Sequence, residues 1–208
     1  MTDTVKLSKG EKTAQRILDA AEPLFARHGF EGTSLRQITR SAGITEPGLY
    51  NHFSSKQELY AAVLERALKP MSTAMDEHLA QTPGLRVYTE LPGLMTDILL
   101  QHPPIAALFQ QALQGERESV GNQLMQQWLD RLVVQGGHSI EAMVGSTIED
   151  RANLAIHVIA MFNLTTGYFL SQNLFAALAE GDILAAENIE RQKRFLSKLF
   201  RAMLIVYE

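Results

Sequence analysis

Cysteine is absent from all 208 residues, which removes disulfides, thiol nucleophiles and cysteine-ligated zinc, and suits a reducing cytoplasm. Strand-like alternation of apolar and polar residues is also missing, so an all-α fold is predicted. No glycine-rich phosphate loop, no G-x-S-x-G and no paired carboxylates in a plausible cleft can be found. His28, His52, His78, His102, His138 and His157 are scattered, and none stands four residues from another to make a helical metal pair. Neither catalytic residues, a metal site nor a cofactor is expected, and hence no enzymatic activity.

The beginning of the chain holds no apolar run of signal-peptide type. Lys6, Lys9, Lys12 and Arg16 stand among polar residues, and residues 1 to about 9 read as a flexible arm. One stretch, 152–179, lacks Asp, Glu, Lys and Arg, and is long enough to raise the question of a membrane span. Its His157, Asn163, Thr165, Thr166, Ser171, Gln172 and Asn173 are too many polar groups to lose in lipid. The stretch is predicted instead to be a helix buried on several sides, with no membrane partner.

What charge there is divides unevenly. The net charge is −4, yet residues 1–56 hold eight Lys or Arg against six Asp or Glu, leaving the remainder at −6. A mildly basic end on an acidic body suits a nucleic-acid binder whose body is repelled by phosphate. So small a positive charge implies that two copies act together.

The stretch Thr33–Lys56 reads as two short helices joined by a tight turn, followed by a third helix. Ser34 with Gln37 makes a capping box, and Leu35 and Ile38 supply a buried side. Ala42-Gly43 closes the first helix, glycine tolerating the left-handed conformation of a C-terminal cap. Thr45 caps the second, predicted over Glu46–Phe53, with Pro47 in its first turn where a missing N–H is harmless. Leu49 and Phe53 share one face and hold the helix down, leaving Glu46, Pro47, Tyr50 and Asn51 outward. Ser55 with Glu58 forms another capping box and sets Lys56 in the first turn of the next helix. This spacing fits a helix-turn-helix that reads the major groove.

The residues F-x-G-T-S-L-R-Q-I from Phe30, A-G-I-T from Ala42 and G-L-Y-N-H-F-S-S-K from Gly48 closely resemble the TetR family of transcriptional regulators. The resemblance implies that Tyr50 and Lys56 contact phosphates and that Glu46, Pro47 and Asn51 lie near base edges. Asn can pair bidentately with adenine, Glu can accept from cytosine, and Pro47 can touch a thymine methyl. Thr33 and Ser34 sit at a helix N-terminus that favours phosphate. Thr45 and Gly48 begin the reading helix, glycine permitting close approach. His52 and Arg36 are further phosphate candidates, or else a solvated group and a surface ion pair.

Helix 1 is predicted from about Gly10 to His28, with Ala14, Ile17, Leu18, Ala21, Leu24 and Phe25 on one face. A DNA-binding domain over residues 1–56 and a helical domain over 57–208 are expected. A long helix from Lys56 to about Ala80 joins them, with a kink or break at Pro70. Thr82-Pro83-Gly84 marks the beginning of the second domain. Helices follow over Leu85–His102 (weakened at Pro92-Gly93), Ile105–Gln114 and Ser119–Gln135. Gly136-Gly137 and Gly145-Ser146 bracket a loop or short helix, and a last helix runs from about Asp182 to Tyr207.

Two uncovered apolar faces, on segment 152–179 and on the last helix, suggest a homodimer through the two C-terminal helices, as in the resembling family. Met71, Met75, Met95, Ile98, Phe109, Trp128 and Met161 are large, soft side chains spread over several helices. With the family's small-molecule pocket, they suggest an apolar effector site, for which Gln110, His157 and Asn163 are candidate anchors. The expectation is a cytoplasmic homodimeric repressor on a palindromic double-stranded operator, released by a small apolar or amphipathic ligand. Two alternatives stay open: a constitutive or activating regulator without an effector, and a helical small-molecule-binding protein that no longer uses DNA.

Overall fold

The computed structural model describes residues 8–81, 86–144 and 151–204, and every described element is an α-helix. Expectations for the N-terminal arm (residues 1–7), Thr82-Pro83-Gly84, Gly145-Ser146 and Tyr207 lie outside the described residues.

α1 (Lys9–His28) begins at a complete capping box: Ser8 Oγ accepts from the Glu11 N–H at 3.2 Å, and the Ser8 N–H donates to Glu11 at 2.7 Å. Those bonds to Ser8 hold the Glu11 carboxyl below its ordinary pKa. Ile17, Ala21 and Phe25 are fully buried, as the 3.6-residue periodicity predicts. α2 (Leu35–Ala42) and α3 (Glu46–Tyr50) form the helix-turn-helix, and α4 (Lys56–Gln81) leads away from it. The helical body comprises α5 (Arg86–Gln101), α6 (Pro104–Gln114), α7 (Val120–Val144), α8 (Arg151–Leu170), α9 (Gln172–Leu178) and α10 (Ala186–Leu204).

Several boundaries differ from expectation. α4 runs unbroken through Pro70, which lies on its exposed side, where water can take the place of the lost donor. α5 likewise continues through Pro92-Gly93, supported by α4, α8 and α10 packed around it. Gly136-Gly137 do not bracket a loop; α7 passes through them to Val144, tertiary contacts outweighing a propensity cost of about 1 kcal/mol per glycine. The uncharged segment divides at Ser171 into α8 and α9, with the Ser171 hydroxyl donating to the Gly167 carbonyl at 2.7 Å. The last helix starts only at Ala186, because Asp182–Ala185 form a turn in which Asp182 accepts from the Leu184 N–H.

One contiguous core extends from Ile17 in α1 through α4 and α5 to Ile189 in α10. α1 lies along α6, and α4 touches α1, α5 and α7. Arg66 on α4 bridges Asp19 and Glu22 on α1 at 2.6 and 2.7 Å, tying these two helices together. α8 has the length and composition to cross a bilayer, but it packs on α5, α6 and α7 and buries Thr165 and Thr166. That is the environment of a core helix.

Candidate nucleic-acid interface and interior cavity

The helix-turn-helix is held by short-range chemistry at each corner. Ser34 Oγ accepts from the Gln37 N–H at 3.2 Å while the Ser34 N–H donates to Gln37 at 2.8 Å, completing the first capping box. Gly43 adopts φ 63°, ψ 41°, the left-handed cap that glycine tolerates best. Arg16 reaches across from α1 and donates to the Ala42 carbonyl at 2.6 Å, satisfying a C-terminal group of α2. Thr45 Oγ1 accepts from the Gly48 N–H at 3.3 Å to start α3. That helix ends at Tyr50, three residues earlier than expected, and Asn51–Phe53 complete a turn on the carbonyls of Pro47 and Leu49. At the head of α4 the second capping box is shared by two serines. Ser55 accepts from the Glu58 N–H, whereas the Glu58 carboxylate takes the Ser54 hydroxyl and N–H, which lowers its pKa.

These contacts decide what faces solvent. Leu49 is completely buried and Phe53 nearly so, while Glu46, Pro47, Tyr50 and Asn51 are exposed along α3. Ser34, Arg36 and Thr45 are also exposed; Gly48, His52 and Lys56 are half-buried. Arg36 makes no ion pair among the described residues, so its guanidinium remains available to an anion. The Lys56 ammonium stands 4.2 Å above the Phe30 ring, a cation–π contact that holds it beside the turn. Thr33 is the exception among the expected contacts. It is 1% exposed, and its hydroxyl donates back to the Gly29 carbonyl at 2.8 Å, so it finishes α1 instead of presenting a group to DNA.

Inside the helical body, α4, α5, α7 and α8 enclose a small apolar cavity of about 20 Å³, little more than a water molecule needs. Met71 and Met75 enter it from α4, Met95 from α5, Trp128 from α7, and Met161 and Thr165 from α8. Leu91, Leu99, Leu132, Phe162 and Thr166 complete its wall.

Residues 17–63 match the model of the bacterial regulatory proteins of the tetR family. The helix-turn-helix (HTH)-type transcriptional regulator TtgW of Pseudomonas putida is 32% identical over 124 residues, covering 57% of this chain and 88% of that protein. The chain belongs to the TetR family. SrpR of Pseudomonas putida, another HTH-type transcriptional regulator, is 33% identical over 124 residues, and there the match covers 57% of this chain but only 55% of the relative. The chain thus spans about half the length of SrpR. A TetR-like transcriptional regulator from Rhodococcus sp. RHA1 shares the fold, with a TM-score of 0.68 at 22% identity over 96% of this chain and 99% of that one.

Within this TetR-family chain, five of the ten residues expected at an effector site converge on the cavity: Met71, Met75, Met95, Trp128 and Met161. The other five do not line it. Ile98 is partly buried against the core, and Phe109 lies behind the wall, its ring 6.5 Å from Trp128 and 6.4 Å from Phe162. Gln110 spends its amide on Thr166 at 2.9 Å and on Asn163 at 3.4 Å, so Gln110 and Asn163 brace α6 against α8 from outside. His157 is half-buried away from the cavity, and burial lowers its pKa. The threonines were missed as lining. Their signal was present: Thr165 follows Met161 by four residues and therefore shares its face of α8.

Proposed function

We propose that this protein is a DNA-binding transcriptional regulator that binds a palindromic operator as a homodimer, represses from it, and is released by an apolar ligand. The observation that carries the reading is α3, fastened by the fully buried Leu49 while Glu46, Pro47, Tyr50 and Asn51 stand free. The names of TtgW and SrpR as HTH-type transcriptional regulators support it. In this reading Tyr50, Lys56, Ser34, Arg36 and His52 hold phosphates, and Glu46, Pro47 and Asn51 meet base edges near the Thr45–Gly48 cap.

Dimerisation is supported by apolar side chains left uncovered on the C-terminal helices. Ile156 and Ile159 on α8 are 62% and 51% exposed, and Phe195 on α10 is 53% exposed. A two-fold pairing of α8 and α10 covers them and supplies the second reading helix that a weakly basic unit needs. The protein then works in the cytoplasm, where its operator is.

The switch is a population shift between two arrangements of α4. That helix begins at Lys56, beside the reading helix, and reaches the cavity at Met71, about 22 Å further along at 1.5 Å per residue. A ligand that enlarges the cavity displaces the far end of α4, and Arg66 carries α1 with it. Operator release requires the ligand to bind the two arrangements unequally. The small size of the cavity also supports a second reading, a regulator with no small-molecule effector.

Selection of random double-stranded oligonucleotides with the purified protein tests the proposal. A palindromic consensus is the expected result; failure to enrich any sequence rejects DNA binding, and a single unrepeated half-site rejects the dimer.

A further inference from the structure

We propose that the cavity takes an uncharged, predominantly apolar molecule carrying one hydrogen-bonding group (a hydroxyl, or the carbonyl of a ketone or ester), and that this group pairs with the Thr165 hydroxyl. The inference rests on the effector reading above and adds the chemistry of the ligand to it.

Thr165 is 3% exposed, lines the cavity, and its Oγ1 has no hydrogen-bond partner. A helical threonine ordinarily returns its hydroxyl to the carbonyl four residues back. The adjacent Thr166 does so, donating to Phe162 at 2.7 Å while accepting from Gln110 at 2.9 Å. The other polar group of the wall is also satisfied, since Trp128 Nε1 donates to Ser72 Oγ at 3.1 Å. Thr165 alone stands buried and unpaired in an otherwise apolar enclosure, a state that native proteins seldom tolerate without a reason.

The wall also limits what the partner can be. No Asp, Glu, Lys, Arg or His lines it, so a carboxylate or ammonium would lose its hydration with no counter-charge in return. A plain hydrocarbon would leave Thr165 unpaired. A hydroxyl or carbonyl on an apolar body satisfies both conditions, because a threonine hydroxyl both donates and accepts. The methionines supply the room: Met71, Met75, Met95 and Met161 can change rotamer around a guest larger than the present space.

Trp128, the only tryptophan of the chain, reports binding in the full-length protein. Its fluorescence, together with the melting temperature, is titrated with 1-nonanol, n-nonane and sodium nonanoate, on the native protein and on Thr165→Val. The native protein is expected to bind nonanol about 5- to 10-fold more tightly than nonane, as one net hydrogen bond implies. Thr165→Val is expected to lose that preference, to bind nonane no worse, and to melt no lower, having exchanged an unpaired hydroxyl for a methyl group. Thr165→Ala carries the same comparison if the valine variant does not fold. Equal affinity for nonanol and nonane in the native protein, an unchanged preference in the variants, or tightest binding of nonanoate overturns the Thr165 assignment while leaving an effector cavity in place. No response to any of the three rejects the effector cavity itself, and this inference with it.

Discussion

Gly121 on α7 lies directly against Tyr60 on α4: a Cβ at position 121 would come within 2.6 Å of the Tyr60 ring and 3.2 Å of its hydroxyl. Tyr60 cannot retreat. It is 3% exposed and stands edge-on to Phe25 at 4.7 Å and tilted on Phe30 at 5.2 Å. The aromatic cluster under the helix-turn-helix is therefore seated on the helical body through a glycine. Gly121→Ala should destabilise the protein by about 1–3 kcal/mol, the usual cost of overpacking a tight core. A urea denaturation midpoint unchanged from the native protein would show that the contact gives way freely.

The same tyrosine makes stability sensitive to alkaline pH. Burial pushes the Tyr60 phenol up to about 12, against an ordinary value of 10.0. Below pH 10 it is neutral in both folded and unfolded chains. As pH rises from 10 toward 12 the unfolded chain releases the proton first, so stability falls, by a limit of about 2–3 kcal/mol. Tyr60→Phe should flatten that segment of the stability–pH profile, measured by chemical denaturation at closely spaced pH values.

Tyr50 and Lys56 flank the reading helix, one half-exposed and the other poised over Phe30. The double variant Tyr50→Phe, Lys56→Ala should weaken operator binding by about 1–3 kcal/mol, roughly alike for every operator sequence, and reduce its salt dependence by about one phosphate contact. Fluorescence anisotropy across a salt series measures both, and undiminished binding would remove these residues from the interface.

Ile159 and Phe195 are the large apolar groups whose exposure supports the dimer. Replacing both with Glu places charges on the proposed two-fold interface, where an unpaired buried carboxylate is costly. Sedimentation should then show a monomer of native helix content with much weaker operator binding. A dimer surviving this change would place the interface elsewhere.

Thr33 and Thr165 mark where reading the sequence stopped. Both look like ordinary helix-associated threonines, and both were read from local position. Thr33, at the start of α2, was expected to reach phosphate, but α1 ends where its Gly29 carbonyl can take the hydroxyl. Thr165 was counted only among groups too polar for lipid, and nothing local distinguishes it from Thr166. Gln110 on α6 reaches Thr166 alone, fifty-six residues away in sequence, and that leaves Thr165 unpaired.

The sequence by itself determined the helix-turn-helix, because its capping boxes, left-handed glycine and Leu49–Phe53 face all act within four residues of one another. It also determined the helical class of the body and the scatter of soft apolar side chains through it. Tertiary structure alone decided that helices run through Pro70 and Gly136-Gly137, since surrounding helices outweigh local propensity there. It alone brought Met71, Met95, Trp128 and Thr165 to one small space, because which faces of four distant helices meet depends on how those helices cross.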